Sequence, residues 1–334
     1  MSMHRLTVTI AAAAVLSMAC GGAGAQPAPS PTAAAIIQGT GTVKVMYAAS
    51  LTTLFEKKVG PAYNTATGFT YQGEGKGSVA IATNIKDKVR TPDVFVSADP
   101  TVNTTLQGSA NGNYVSWWAN FARTEMVIGW SPQSKFASDF EAAQSGKRTW
   151  ESVLEQSGLK LGRTDPEIDP KGFRTLFLFQ LDEQRTSESG EALKILGPAS
   201  NTSQIFPEEQ LVARLQAGDL DAGVFYTIEA IEANLPYLTL PTAINQGDPA
   251  QASHYATVSY TNKKGQVYTG SPILYTATVP TTSTNTQGAQ AFVQYLLSKD
   301  GQALLAKEGL LSTPALVGGD ATALPPLLKP FVKT

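Results

Sequence analysis

The chain has 334 residues, of which 25 are basic and 27 acidic, for a formal charge of −2. That balance offers no strongly basic face for nucleic acid, and the charges form no long run. A lone cysteine, Cys20, excludes an internal disulfide or a cysteine metal cluster, and the two histidines, His4 and His254, indicate neither a histidine metal site nor a Ser-His-Asp arrangement.

Residues 1–19, "MSMHRLTVTIAAAAVLSMA", join a basic start to an apolar run and small residues, the pattern of a secretory leader too short to span a bilayer. Cys20 follows, and its surroundings resemble the lipobox of bacterial lipoproteins, which implies lipidation of Cys20 as the mature N-terminus. Ser17 stands where leucine is commoner, and the alternative is a chance cysteine in an ordinary leader. Residues 20–40, rich in Pro, Ala and Gly, read as a flexible tether.

In "TVKVMYAASLTTLFEKKVGPAY", Val43, Val45 and Tyr47 alternate as in a strand, and Leu51, Leu54, Phe55 and Val59 follow at helical spacing, with Ser50 between. "FTYQGEGKGSVAIATNIKDKV" repeats the plan, with Val79, Ala82, Ile85 and Val89 along one helical face behind Ser78. Its "GEGKGS" is not a nucleotide phosphate loop, because Gly77 separates Lys76 from Ser78. A glycine-rich run into a helix N-terminus still favours an anion, since the first N–H groups of a helix lack internal partners. Lys76 either raises the local potential there or is simply solvated. "PDVFVSADP" is a third short strand. Strands alternating with helices imply a parallel, doubly wound sheet with ligands beyond the carboxyl ends of its strands, where both Ser50 and Ser78 fall.

A second set of elements follows: "RTEMVIGWS" as strand, "TWESVLEQSG" as short helix, "LKLGRTDP" as strand and turn, and "GFRTLFLFQLDEQ" as a helix too apolar to be exposed all round. "DLDAGVFYTIEAIEANL" is strand to helix again. "HYATVSYTNKKGQVYTGSPILYTATVP" is strand-like with a Lys-Gly turn, and "TQGAQAFVQYLLSKDGQALLAKEG" reads as one long amphipathic helix. The halves echo one another, which fits two α/β lobes with a cleft between them.

In order and spacing, "YAASLTTLFE", "GKGSVAIATNI", "PDVFVSAD", "GRTDPEIDPKGFR", "GDLDAGVFYTIEA", "GSPILYTATVP" and "AFVQYLLSKDGQALLAKEG" resemble the molybdate/tungstate-binding component of an ABC transporter, in the tungstate-type branch of the periplasmic-binding-protein superfamily. The resemblance runs from about Val43 to Thr313. It implies a two-lobed type II fold, each lobe a mostly parallel sheet flanked by helices, with lobe one at 41–125 plus 280–334 and lobe two at 126–279. It implies a monomeric, non-enzymatic, extracytoplasmic protein held to the membrane only by lipid. Such a protein needs no cofactor, binds molybdate or tungstate, and hands it to a permease with a separate ATPase.

Carried over position by position, the oxyanion ligands are Ser50, Ser78, Asp169, the main chain of Lys171, and Tyr226. The branch carries a glutamate before that tyrosine, which with an aspartate brings the metal centre to octahedral coordination. Here Phe225 takes its place, so the expectation is a tetrahedral oxyanion held by hydrogen bonds. An ionised Asp169 would repel a dianion unless a proton intervenes. Each residue also has a plainer role: a helix cap for either serine, a turn for Asp165 or Asp169, a half-buried sheet position for Tyr226. The alternative cargo is sulfate, phosphate or a metal ion on the same fold; an adhesion module or a hydrolase using His254 are further rivals.

Overall fold

The computed structural model describes residues 35–333; the leader, Cys20 and most of the tether lie outside the described residues. Strand β1 (Thr42–Ala48) buries Val43 and Val45, as the alternation requires, and its last four residues are buried on both faces. The chain then turns through Ala49–Leu51 into successive helical segments that end at Thr67. Gly68 stops them in the left-handed region (φ +81°), where a β-carbon would also meet the Gly39 carbonyl at 2.7 Å. Strand β2 (Thr70–Lys76) leads to the Ser78–Lys86 helix and then to β3 (Val94–Ser97), so β1, β2 and β3 form two βαβ units and pair in parallel.

The remaining strands depart from the expected mostly parallel sheets. Strand β4 (Trp117–Arg123) passes almost directly into β5 (Met126–Trp130) of a second sheet. The second sheet adds β6 (Leu161–Gly162), β7 (Ala222–Tyr226) and β8 (Tyr237–Thr239) in the order β6-β7-β5-β8. Only its β6–β7 pair is parallel. After an antiparallel hairpin of β9 (Ser259–Thr261) and β10 (Val267–Thr269), the chain re-enters the first sheet as β11 (Leu274–Thr278). With β12 (Val317–Gly319), that sheet has the order β12-β4-β11-β3-β1-β2, and every pair involving β4, β11 or β12 is antiparallel. The reason is connectivity: a strand reached over a helix enters from the same end as its neighbour, whereas β4 and β11 lead out of and back into the sheet by extended crossings.

Two local expectations also change. The segment from His254 begins in a helical turn, Ala252–Tyr255, rather than a strand. The single long helix near the C-terminus is two helices, Thr286–Leu297 and Lys299–Lys307, broken at Ser298. Ser298 adopts extended ψ (162°), and its Oγ accepts from Gly301 N at 3.1 Å, capping the second helix.

Both helices follow a periodic apolar pattern, which is why the break is invisible to it. The Thr286–Leu297 helix supplies Phe292, fully buried against Phe55 (5.9 Å between ring centroids), Tyr63 (5.1 Å) and Tyr71 (5.9 Å). This aromatic cluster fastens the helix to the face of the sheet that carries β1 and β2. Truncation of Phe292 to alanine is expected to cost about 3–5 kcal/mol of unfolding free energy, read from denaturant melts.

Candidate anion site

Strands β1 and β2 are paired with Ala48 opposite Lys76, so Ser50 and Ser78 each follow the carboxyl end of one of two adjacent parallel strands. Both are buried and neither side chain caps its own helix. Ser50 Oγ lies 3.0 Å from the hydroxyl of Tyr275 on β11, and Ser78 Oγ accepts the Ala98 amide at 3.1 Å, which leaves its own hydrogen free to donate.

From the other side comes the long Pro170–Thr186 helix. Asp169 is its N-cap, accepting the Lys171 amide on Oδ1 at 2.7 Å, so the plain capping role and the site position coincide in this residue. The Lys171 main-chain donor anticipated from the sequence is therefore already directed at Asp169. Its side chain is what the sequence did not announce: the fully buried ammonium sits 2.6 Å from Glu229 Oε1 and 3.1 Å from Glu208 Oε1, and 5.7 Å from the Tyr226 ring centroid. Glu229 uses its second oxygen to accept the Tyr226 amide at 2.8 Å, fixing the turn where β7 becomes the Thr227–Glu232 helix.

The Tyr226 ring meets Tyr275 edge-on at 6.3 Å, while its hydroxyl, on a residue only 1% exposed, has no hydrogen-bond partner among the described residues. Phe225, next to it, packs into a small separate cluster with Leu211, Leu215 and Leu235. Contacts thus run from Ser50 through Tyr275 to Tyr226, on through Glu229 and Lys171 to Asp169, and back to the strand ends at Gly77 beside Ser78. Four of the anticipated residues, Ser50, Tyr226, Lys171 and Asp169, lie on this circuit, and Ser78 adjoins it through Gly77, its own Oγ bonding the Ala98 amide. Lys76 lines its edge, Asp165 accepts the Glu167 amide in the preceding turn (2.9 Å), and His254 lies apart, bonded to the Ala243 carbonyl.

Near the serine strand ends the two halves also meet main chain to main chain. Ala80 N donates to the Ile168 carbonyl at 3.1 Å, and a β-carbon on Gly77 would stand 2.6 Å from that same oxygen and 3.3 Å from Asp169 Cβ. Two depressions flank the start of the Glu208–Gln216 helix. One, of about 340 Å³, is lined by Ser50, Thr53, Lys57, Glu229 and Glu232; the other, of about 320 Å³, by Gly77, Ile168 and Asp169; Glu208 borders both.

Charge is crowded here. Burial pushes the carboxyls of Asp169, Glu208 and Glu229 upward, and Glu208 and Asp169 lie within hydrogen-bonding reach of each other, which favours a proton on the pair. Burial alone would lower the Lys171 ammonium, but the surrounding carboxylates outweigh it and hold the lysine charged. Among the described residues no cluster of His, Cys, Asp or Glu could hold a metal ion, and no helix is long and apolar enough to cross a membrane.

Sequence reasoning missed Glu208, Glu229, Tyr275 and Arg174. Glu229 alone carried a local signal, as the acidic residue at the third position of a helix that follows a strand.

Residues 43–311 match the family model described as bacterial extracellular solute-binding protein. A candidate ABC-transporter molybdenum-binding protein of Haloferax volcanii is 34% identical over 79% of each chain. The molybdate/tungstate-binding protein WtpA of Thermococcus kodakarensis is 28% identical over 74% of this chain and 75% of its own. In three dimensions the Azotobacter vinelandii periplasmic molybdate-binding protein superposes with a TM-score of 0.56 at 16% identity, covering 81% of this chain and 99% of that one, which shows a shared type II periplasmic-binding fold.

The carboxylate crowding has a pH consequence. Glu232, at the rim, is pushed from 4.5 up to about 8 by burial, then by Glu229 and Glu308, with Lys57 pulling the other way. The native state thus binds this proton more tightly than the unfolded chain, so the stability it contributes is full below the ordinary value and is lost as pH rises through about 8. Melting temperature should fall between these limits, and the fall should be shallower in Glu232→Gln.

Proposed function

This chain belongs to the bacterial extracellular solute-binding protein family, and on that premise we propose that it captures molybdate or tungstate between its two sheets for an ABC-transporter permease driven by a separate ATPase. The observation that carries the reading is the buried, unpartnered Tyr226 hydroxyl, on a ring that meets Tyr275 edge-on, with Tyr275 in turn 3.0 Å from the Oγ of the strand-end Ser50. Ser50, Ser78 and Tyr226 supply hydroxyl donors to a tetrahedral oxyanion, and the N-termini of the Ser78–Lys86 and Pro170–Thr186 helices add dipoles favouring negative charge. An anion that takes the Lys171 amide displaces the Asp169 carboxylate from it. Asp169, pushed toward its protonated form, then becomes a donor instead of a repelling charge. Phe225, turned into its own apolar cluster, leaves no second carboxylate at that position, which supports four-coordinate cargo.

Binding here is capture without chemistry: the anion bridges groups from both halves and so favours their approach. We place the halves near 41–125 plus 274–334 and near 126–273, because β11 (Leu274–Thr278) already pairs with β3 and β4 in the six-stranded sheet, a few residues before the boundary of 280 expected from the sequence. In the cell the chain acts as a monomer, held outside the membrane by lipid on Cys20. Sulfate or phosphate is the alternative cargo on the same fold. Phosphate, often protonated, would use Asp169 as an acceptor, so a phosphate preference abolished by Asp169→Ala would favour that reading.

Isothermal titration of the protein with molybdate, tungstate, sulfate and phosphate decides the cargo. The expected result is tight binding of the first two with sulfate at least about a hundredfold weaker, a gap of about 2.7 kcal/mol; preference for sulfate or phosphate would overturn the ligand. Ser50→Ala and Ser78→Ala should each weaken molybdate binding by about 1–3 kcal/mol, the scale of a hydrogen bond to a charged group, with Tyr226→Phe losing less. Wild-type affinity in both serine variants would remove them from the site.

Gly77→Ala separates closure from folding. Its backbone (φ −52°, ψ 131°) suits any residue, so what opposes the new methyl is the Ile168 carbonyl at 2.6 Å and, less tightly, Asp169 Cβ at 3.3 Å, both from the opposite half. An unchanged melting temperature with molybdate affinity reduced about tenfold or more, near 1.4 kcal/mol, is expected. Unchanged affinity would show that capture does not need this approach.

A further inference from the structure

Arg174 is wholly buried one turn beyond Lys171, yet it contacts none of the residues assigned to the anion. Its guanidinium reaches instead to three separate pieces of chain. Nη2 lies 2.6 Å from Oδ2 of Asp99, which follows β3 in the six-stranded sheet, and Nη1 donates to the Ser271 carbonyl at 2.7 Å and to Gln246 Oε1 at 3.2 Å. Gln246 returns a bond from Nε2 to the Arg174 carbonyl at 2.9 Å, while holding a left-handed φ of +56° that glutamine rarely adopts.

Gln246 and Ser271 belong to the segments by which the chain passes between the sheets. Ile273 N donates to the Gln246 carbonyl (2.8 Å), Met126 N to the Asn245 carbonyl (2.9 Å), and Thr124 N to the Ile273 carbonyl (3.3 Å), so the crossings at 124–126, 245–246 and 273 lie side by side. Arg174 Nε, also buried, has no partner among the described residues, and the positive charge of this side chain reaches Tyr226, where it opposes the rise caused by burial.

We propose that Arg174 is a positioning residue for anion capture: its fork, tied to Asp99 and to the crossing segments, sets the angle at which the Asp169–Lys171 turn and Tyr226 face Ser50 and Ser78. The inference rests on the anion-capture reading of that site. The chemistry suits the role, because a planar guanidinium satisfies several acceptors in a fixed geometry that an ammonium cannot reproduce. A pair buried this completely is also intolerant of losing one member. The contacts join the helix that carries Asp169 and Lys171 to the sheet that carries the serines, so a change in their geometry is transmitted to the cleft without altering any group that touches the anion.

The test uses the full protein with Asp99→Asn, Arg174→Lys and the double substitution, measuring molybdate affinity by calorimetry, release by stopped-flow tryptophan fluorescence, and melting temperature. Release in each single variant should be at least tenfold faster, with affinity reduced in proportion. The double variant should be no worse than the worse single one, since Asp99 acts through Arg174 and the two losses overlap. A purely structural role predicts lower melting temperatures with affinity and release within twofold of wild type, and that result overturns the proposal. Should Arg174→Lys fail to fold, the near-isosteric Asp99→Asn decides alone. Wild-type protein that takes up neither molybdate nor tungstate would refute the capture reading itself, and the inference with it, whereas normal wild-type binding with unaltered variants refutes the inference only.

Discussion

The ammonium of Lys171 is the constraint around which the second half of the molecule is arranged. Removing such a charge from water costs several kcal/mol, and the cost is offset only if counter-charges arrive in good geometry. Here they come from residues far apart in the chain: Glu208 at the start of one helix and Glu229 in the first turn of another. Holding those two carboxylates on one nitrogen fixes where their helices meet the start of the Pro170–Thr186 helix. Because Glu229 also holds the Tyr226 amide, the same nitrogen indirectly sets the tyrosine.

That arrangement leaves an electrostatic excess. Asp169, Glu208 and Glu229 crowd one lysine, and Arg174 is already matched by Asp99. A dianion brought beside them is not attracted by the net field of the site, any more than by the weakly acidic chain as a whole. Its recognition has to come from hydroxyls and amides aimed at short range, and from protons retained on carboxyls that burial has made weak acids. The unpartnered Tyr226 hydroxyl has a reason in this setting: it is a donor kept dry beside groups that otherwise only accept.

How much of this was legible depended on how far apart the partners lie. Alternation in Val43, Val45 and Tyr47 and helical spacing behind Ser50 and Ser78 exposed the βαβ units and the two serines, because those signals are local. Strand direction was not legible for β4 and β11: a short strand reads the same whether it is reached over a helix or by a crossing from another sheet. The break at Ser298 was hidden because apolar periodicity resumes beyond it and only the cap at Gly301 betrays it. Arg174 stood in plain sight within "DPKGFR", but its meaning depends on Asp99, Gln246 and Ser271, which no spacing connects to it. Phe225 could be read as the loss of a carboxylate, whereas its destination in a separate apolar cluster required the packing.

Size selection among tetrahedral anions shows why the last step lay beyond any sequence pattern. Molybdate and sulfate share charge and shape, so in the proposed reading discrimination between them rests on how near the two halves come. At Gly77 and Ile168 that distance is set by main-chain atoms, with the Ala80 amide already bonded across the gap. A side chain cannot shrink the cavity further at this point without a backbone shift, and enlarging it means giving up that hydrogen bond. In the proposed reading the serines and the tyrosine recognise an oxyanion as a class. In the same reading the backbone contact, which we propose Arg174 holds in register from the side of the crossings, supplies the dimension that distinguishes its members.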